Sequence, residues 1–196
     1  VGVDVLSRIT DYEDRSTCVL FGDGAGAVVL GEVPEGFGIL ASELGADGAS
    51  GSVLQMPGGG SLRPASLSSV EERQHYIKMQ GSDVFKFAVR IMDESAKRVV
   101  EKAGLAMEDV HWVVPHQANI RIISAAATRL GVPEERFFVN VDRYGNTSAA
   151  SIGLALDELA RSGDLKHGDH VALVGFGAGL TWSALVMKWW AGGTHA

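Results

Sequence analysis

The chain carries one cysteine, Cys18, and a histidine, His116, set where an apolar run turns polar in "VVPHQANIR", residues 113 to 121. A second such turn follows in "RYGNTSAAS", residues 143 to 151, where Asn146 lies between Gly145 and Thr147. A neutral imidazole and a carboxamide both offer N–H donors, so the pair suits an oxygen that gains negative charge during a reaction. Neither stretch contains a carboxylate, which would repel such an oxygen. A third stretch, "GFGAGL", residues 175 to 180, puts glycines at a strand end, where backbone N–H groups can form an oxyanion hole. Each feature also has an ordinary structural reading: a histidine satisfied by backbone at a strand end, an asparagine helix cap, a tight hairpin.

These residues need a scaffold, and the composition provides for one. Hydrophobic residues make up 46% of the 196, enough for the core of one domain or a little more. A net charge of -7 argues against a general electrostatic hold on nucleic acid or anionic membrane, so an acidic partner needs a local basic patch. No apolar run is as long as a membrane span and no signal-peptide pattern opens the chain, which makes the cytoplasm the default expectation. A single cysteine forms no internal disulfide, and the histidines lack zinc spacing, so no metal site is expected.

"VGVDVLSRIT" alternates Val1, Val3 and Val5 and reads as the end of a strand, so the chain is expected to begin within a fold. "STCVLFGDGAGAVVLGEV" reads as strand, glycine turn and strand, and residues 45 to 73 as the least regular part. The apolar spacing in "DVFKFAVRIMDESAKRVVEKAG" predicts an amphipathic helix stopped at Gly104. "VHWVV" reads as a buried strand, "ANIRIISAAATRLG" as a helix and "RFFVNV" as a strand. "NTSAASIGLALDELARSG" reads as a helix entered through Asn146 or Thr147 and closed near Gly163; strand, glycine turn and strand finish the chain. Alternating strands and helices imply an α/β fold with a sheet covered on both faces. "FGDGAGAVVL" at 21 to 30 echoes "FGAGLTWSALV" at 176 to 186, as in a duplicated fold whose first copy survives only in its final strands.

Taken together and in order, "VPHQANIRI", "GNTSAAS" and "GFGAGLTW" resemble the C-terminal half of the β-ketoacyl-acyl-carrier-protein synthase III family of the thiolase superfamily, and "DRSTCVLFGDGAGAVVL" is similar to its strand pair just before the midpoint. The resemblance implies a duplicated, layered αβαβα fold: residues 1–35 would be the final strands of the N-terminal half, and 36–196 the C-terminal half. It implies a homodimeric acyltransferase that condenses an acyl-coenzyme A with malonyl-acyl-carrier protein, with decarboxylation, and starts fatty acid synthesis. No cofactor is implied beyond the coenzyme A thioester substrate. The nucleophilic cysteine would lie in an upstream segment, leaving Cys18 a buried structural residue in an apolar strand.

By the same resemblance His116 and Asn146 are the catalytic donors to the malonyl thioester oxygen, and the backbone N–H of Ala178 belongs to the oxyanion hole for acyl transfer. Coenzyme A would meet Arg15, Ser16, Gly81, Phe85, Ala118 and Asn119; Ser82 stands where relatives often carry asparagine. Phe21 would lie near the acyl pocket. Lys86, Arg121 and Arg129 would receive the acidic carrier protein, although an ordinary solvated face also accounts for such charges. Two further readings are a related starter enzyme of polyketide or signalling-molecule synthesis, and a non-catalytic subunit that binds acyl chains or carrier protein.

Overall fold

The computed structural model describes residues 1–192. Strands β1 (Gly2–Asp4) and β2 (Gly24–Gly26) form a short antiparallel pair. Strand β3 (Gly38–Ala46) follows, then a small antiparallel pair of β4 (Leu54–Gln55) and β5 (Lys78–Met79) on either side of the short helix α1 (Leu67–Glu71). The rest of the chain runs α2 (Gly81–Lys102), β6 (Val110–Pro115), α3 (Ile120–Leu130), α4 (Val141–Tyr144), α5 (Ser151–Ser162), β7 (His170–Gly177) and β8 (Thr181–Lys188). The main sheet has the order β3-β8-β7-β6, parallel between β6 and β7 and antiparallel elsewhere.

That sheet is covered on both faces, as the apolar strands require. Val113 and Val114 are successive residues of β6, so they point to opposite sides. Val113 packs with Met92 and Val99 of α2 and Ile123 of α3, whereas Val114 packs with Ala155 and Leu159 of α5. Helix α2 earns its place through Phe87, Ala88, Ile91, Met92, Ala96, Val99 and Val100, all buried along one stripe; each large apolar side chain buried this way contributes about 1.5–3 kcal/mol. The stops fall where glycine allows a left-handed residue: Gly131 closes α3 at φ 69° and Gly163 closes α5 at φ 77°.

Three local expectations are corrected and one unexpected strand is added. Residues 14 to 20 do not form a strand; Cys18 N–H donates to Asp14 O at 3.0 Å and Leu20 N–H to Thr17 O at 3.1 Å, a succession of turns begun by the Asp14 side chain, which accepts from Ser16 N. "RFFVNV" likewise gives no strand, because only Phe137 bridges to Val113 before the chain turns into α4. Strand β3 went unread because "GILASELGA" is poor in β-formers, yet it pairs with β8 from Gly38 to Ala46, so pairing overrides propensity. The glycines of "FGDGAG" are not the turn of a hairpin. A Cβ at Gly22 would lie 2.1 Å from Tyr144 O and one at Gly26 would lie 3.0 Å from Ala150 O, so they allow close backbone approach to the segment that leads into α5.

Candidate active site

His116 extends β6 by one residue, its N–H donating to Val174 O of β7 at 2.7 Å. The side chain is only 8% exposed, and its ring packs nearly perpendicular to Phe176 with centroids 5.1 Å apart. Ring Nδ1 lies 2.6 Å from the hydroxyl Oγ of Ser151 at the start of α5. Its partner is thus a side chain and not backbone, contrary to the ordinary reading. Burial disfavours the imidazolium and pushes the pKa down to about 4, so the ring is neutral near pH 7.

The next residue holds the motif to its surroundings. Gln117 is buried with its amide donating to Pro115 O at 2.9 Å and Phe138 O at 3.0 Å, while its Oε1 accepts from Asn140 N at 3.0 Å. This fastens the end of β6 to the stretch that approaches Asn146. Glu158 of α5 fastens the other side, accepting from Asn140 Nδ2 at 2.9 Å, Arg143 Nη2 at 2.6 Å and the Tyr144 hydroxyl. Burial raises the Glu158 pKa, and these hydrogen bonds outweigh it to give a net lowering.

Asn146 does not cap α5. Its Oδ1 accepts from Ser148 N at 3.0 Å, an Asx turn that precedes one turn of 3-10 helix at Ser148–Ala150. The acceptor half of the amide is therefore engaged, and Nδ2 has no protein partner among the described residues. The amide orientation follows from this bond. Gly145, at φ 68°, brings the backbone close to Leu20 O, and Ser148 holds a positive φ of 50°.

His116 and Asn146 stand where two cavities meet. One, of about 590 Å³, is lined further by Gly81, Ser82, Phe85, Ala118 and Asn119, with Lys86 and Arg121 also on its wall. The other, of about 830 Å³, has a wall that includes Leu6, Ile9, Ile77, Ile152 and Trp182, and Ala178 lies on it. Phe21 lines both. A neutral imidazole and a carboxamide at the junction are groups able to offer N–H donors to a developing oxyanion, and the cavities bring organic groups to it from either side.

The structure thus brings together His116, Asn146, Phe21, Gly81, Phe85, Ala118, Asn119, Lys86 and Arg121. Arg15 and Ser16 line neither cavity; Ser16 is tied to Asp14 Oδ1 through its N–H and hydroxyl. Arg129 lines a third cleft with Lys86 and Arg90, and its Nε donates to the buried Asp93 at 2.8 Å, beside Lys97. Ala178 N–H has no backbone partner among the described residues. The sequence reading missed Ser151, Gln117 and Glu158, although a hydroxyl residue five places after Asn146 at the foot of a helix was available as a signal. Among the described residues no three His, Cys, Asp or Glu side chains group to hold a metal, and no helix is long and apolar enough to cross a membrane.

Two family models match the chain: 3-oxoacyl-[acyl-carrier-protein (ACP)] synthase III C terminal at residues 100–189, and 3-oxoacyl-[acyl-carrier-protein (ACP)] synthase III at residues 1–48. Beta-ketoacyl-[acyl-carrier-protein] synthase III of Desulfitobacterium hafniense strain Y51 is 59% identical over 189 residues, covering 96% of this chain and 57% of the relative. The crystal structure of the synthase III from Thermus thermophilus superposes with a TM-score of 0.88 at 49% identity, over 97% of this chain and 58% of that one. That from Aquifex aeolicus superposes at 0.84 and 45% identity, over 96% and 56%. The chain therefore spans little more than half the length of these relatives, in the thiolase-like fold they share.

Proposed function

We infer the activity from one premise: the chain belongs to the 3-oxoacyl-[acyl-carrier-protein] synthase III family. The function proposed is a decarboxylative condensation, in which an acyl group passes from coenzyme A to a cysteine and then to malonyl-carrier protein, giving a β-ketoacyl-carrier protein. The observation that carries it is the pairing of His116 and Asn146 at the cavity junction, each with one side-chain atom already hydrogen-bonded inside the protein. What remains is the Asn146 Nδ2 amide and the His116 Nε2, which when protonated is a second neutral N–H, suited to the malonyl thioester oxygen as carbon dioxide leaves and the enolate forms. The enolate carbon then bonds to the acyl carbon, and the cysteine sulfur departs as thiolate.

The cysteine is assigned to a part of the protein outside these 196 residues, since Cys18 lies half-buried in a run of turns and lines neither cavity. For acyl transfer, the Ala178 N–H would hold the thioester oxygen. The smaller cavity would take the pantetheine arm past Gly81, Phe85, Ala118 and Asn119, with Arg15 and Ser16 at the nucleotide end. Exposed Lys86 and Arg121 at its edge would meet the carrier protein, and Phe21 the acyl chain. On the same reading, residues 1–35 close the first half of a duplicated fold and 36–196 form the second. The enzyme would work as a homodimer in the cytoplasm, with no cofactor.

Separate assays of the two half-reactions test this in the full-length protein. His116→Ala and Asn146→Ala should each slow malonyl decarboxylation by about 100-fold to 1,000-fold while largely sparing acyl transfer. Decarboxylation left intact in both variants would sink the assignment.

A further inference from the structure

We propose that Ser151 sets the tautomer of His116, holding the ring proton on Nε2 so that this nitrogen donates into the cavity, and is thereby a positioning residue for decarboxylation. The proposal rests on the function just described, and its own evidence is a count of protons. Ser151 is 2% exposed, and its Oγ has two neighbours: His116 Nδ1 at 2.6 Å and the Gln117 N–H at 3.3 Å. A hydroxyl has one proton to give and two lone pairs to receive. The Gln117 N–H occupies one lone pair, and the tautomer decides what happens to the rest.

If Nδ1 carried the imidazole proton, Ser151 would receive two N–H groups and its own buried proton would have no acceptor, since Nδ1 is the one acceptor in reach of Oγ among the described residues. A buried donor without a partner is costly. If Nδ1 is bare, the hydroxyl gives its proton to Nδ1 and receives from Gln117, and every group is paired. The imidazole proton then lies on Nε2, the ring nitrogen not held by the protein. Asn146 is treated in the same way by Ser148 N–H, which occupies Oδ1 and leaves the Nδ2 amide. "GNTSAAS" thus supplies a donor, and it also sets the direction of both donors: Ser148 for Asn146, Ser151 for His116.

The test is a long-range proton–nitrogen correlation spectrum of the full-length protein with 15N-labelled histidine, the His116 signals being identified by their loss in His116→Ala. The wild-type ring should show a protonated Nε2 and a bare Nδ1. In Ser151→Ala, which removes a single oxygen, the balance should move toward a protonated Nδ1 and decarboxylation should fall about ten-fold, one net hydrogen bond in rate, with acyl transfer little changed. A wild-type ring protonated on Nδ1 overturns the proposal without any variant, as does a Ser151→Ala protein whose tautomer balance or decarboxylation rate is that of the wild type. The enolate function fails by a different sign, decarboxylation that survives His116→Ala, so the two failures are distinguishable.

Discussion

Asn146 and Leu20 are joined through their backbones: Asn146 N–H donates to Leu20 O at 2.9 Å, and two residues on Gly22 N–H donates back to Asn146 O at 2.9 Å. The "LFGDG" stretch thus forms a rail against which Asn146 is set. Gly22 is needed for that contact, because a Cβ there would meet Tyr144 O at 2.1 Å. Gly22→Ala should therefore destabilise the full-length protein by about 1–3 kcal/mol, as overpacking does. It should also slow decarboxylation more than acyl transfer. Denaturant unfolding and the two half-reaction assays would measure both.

That contact explains what the sequence made legible and what it hid. The long helices, their glycine stops and the buried strand at "VHWVV" follow from local period and capping, so they were readable one segment at a time. The approach of "FGDGAG" to α5 is a contact between segments over 100 residues apart, and local pattern made it look like a hairpin turn. Strand β3 depends on the same kind of information, since its residues gain a strand only by lying beside β8. His116 and Asn146 stood out by type and surroundings, whereas Ser151, Gln117 and Glu158 matter through what they touch.

Stability should depend on pH through His116. Its pKa falls from an ordinary 6.5 to about 4 in the folded protein because the ring is buried. Between these values the unfolded chain binds a proton that the folded one does not, so stability is lost as pH falls from about 6.5 toward 4 and is unaffected by this residue above that range. A shift of that size is worth about 3 kcal/mol. The difference in unfolding free energy between wild type and His116→Ala, followed from pH 7 to pH 4, should shrink by roughly that amount. A difference that stays constant across this range would refute a buried neutral ring.

Glu158 gathers Asn140, Arg143 and Tyr144 onto α5 immediately ahead of Gly145 and Asn146. Removing its carboxylate should let that corner move. Glu158→Ala should cost about 1.5–3 kcal/mol, the range for hydrogen bonds to a charged group. It should lower the decarboxylation rate without weakening coenzyme A binding, because Glu158, Asn140, Arg143 and Tyr144 do not line the smaller cavity proposed to take coenzyme A. Unchanged decarboxylation in a destabilised variant would limit Glu158 to a structural role.

Cys18 provides a direct check on the source of the nucleophile. Its N–H is tied to Asp14 O and its side chain sits among turns, without the helix N-terminus that commonly favours a thiolate. Cys18→Ser should keep most condensing activity. Labelling the full-length protein with radioactive acetyl-coenzyme A and mapping the acylated peptide should place the acetate elsewhere. Acetate on the Cys18 peptide, lost in Cys18→Ser, would falsify the assignment.

The three basic residues expected to meet a carrier protein should separate by experiment, because their surroundings differ. Lys86 is 75% exposed, with Asp83 3.7 Å away, and Arg121 is exposed on the wall of the smaller cavity. Charge reversal at either should raise KM for malonyl-carrier protein, spare transfer from coenzyme A to a small thiol, and matter less as salt rises, since the Debye length is about 8 Å at physiological ionic strength. Arg129 instead joins α3 to Asp93 of α2, a carboxylate that is 5% exposed. Asp93 is buried, but Arg129 is half-exposed and Lys97 remains beside the carboxylate, so Arg129→Glu should cost about 1–3 kcal/mol, less than the roughly 3–5 kcal/mol of a fully buried pair. Arg129→Glu should thus show itself first as a lowered unfolding midpoint, and Lys86→Glu and Arg121→Glu as a KM effect at unchanged midpoint. Equal losses with carrier and small-thiol acceptors in the Lys86 and Arg121 variants would point to damage at the cavity and remove the docking role.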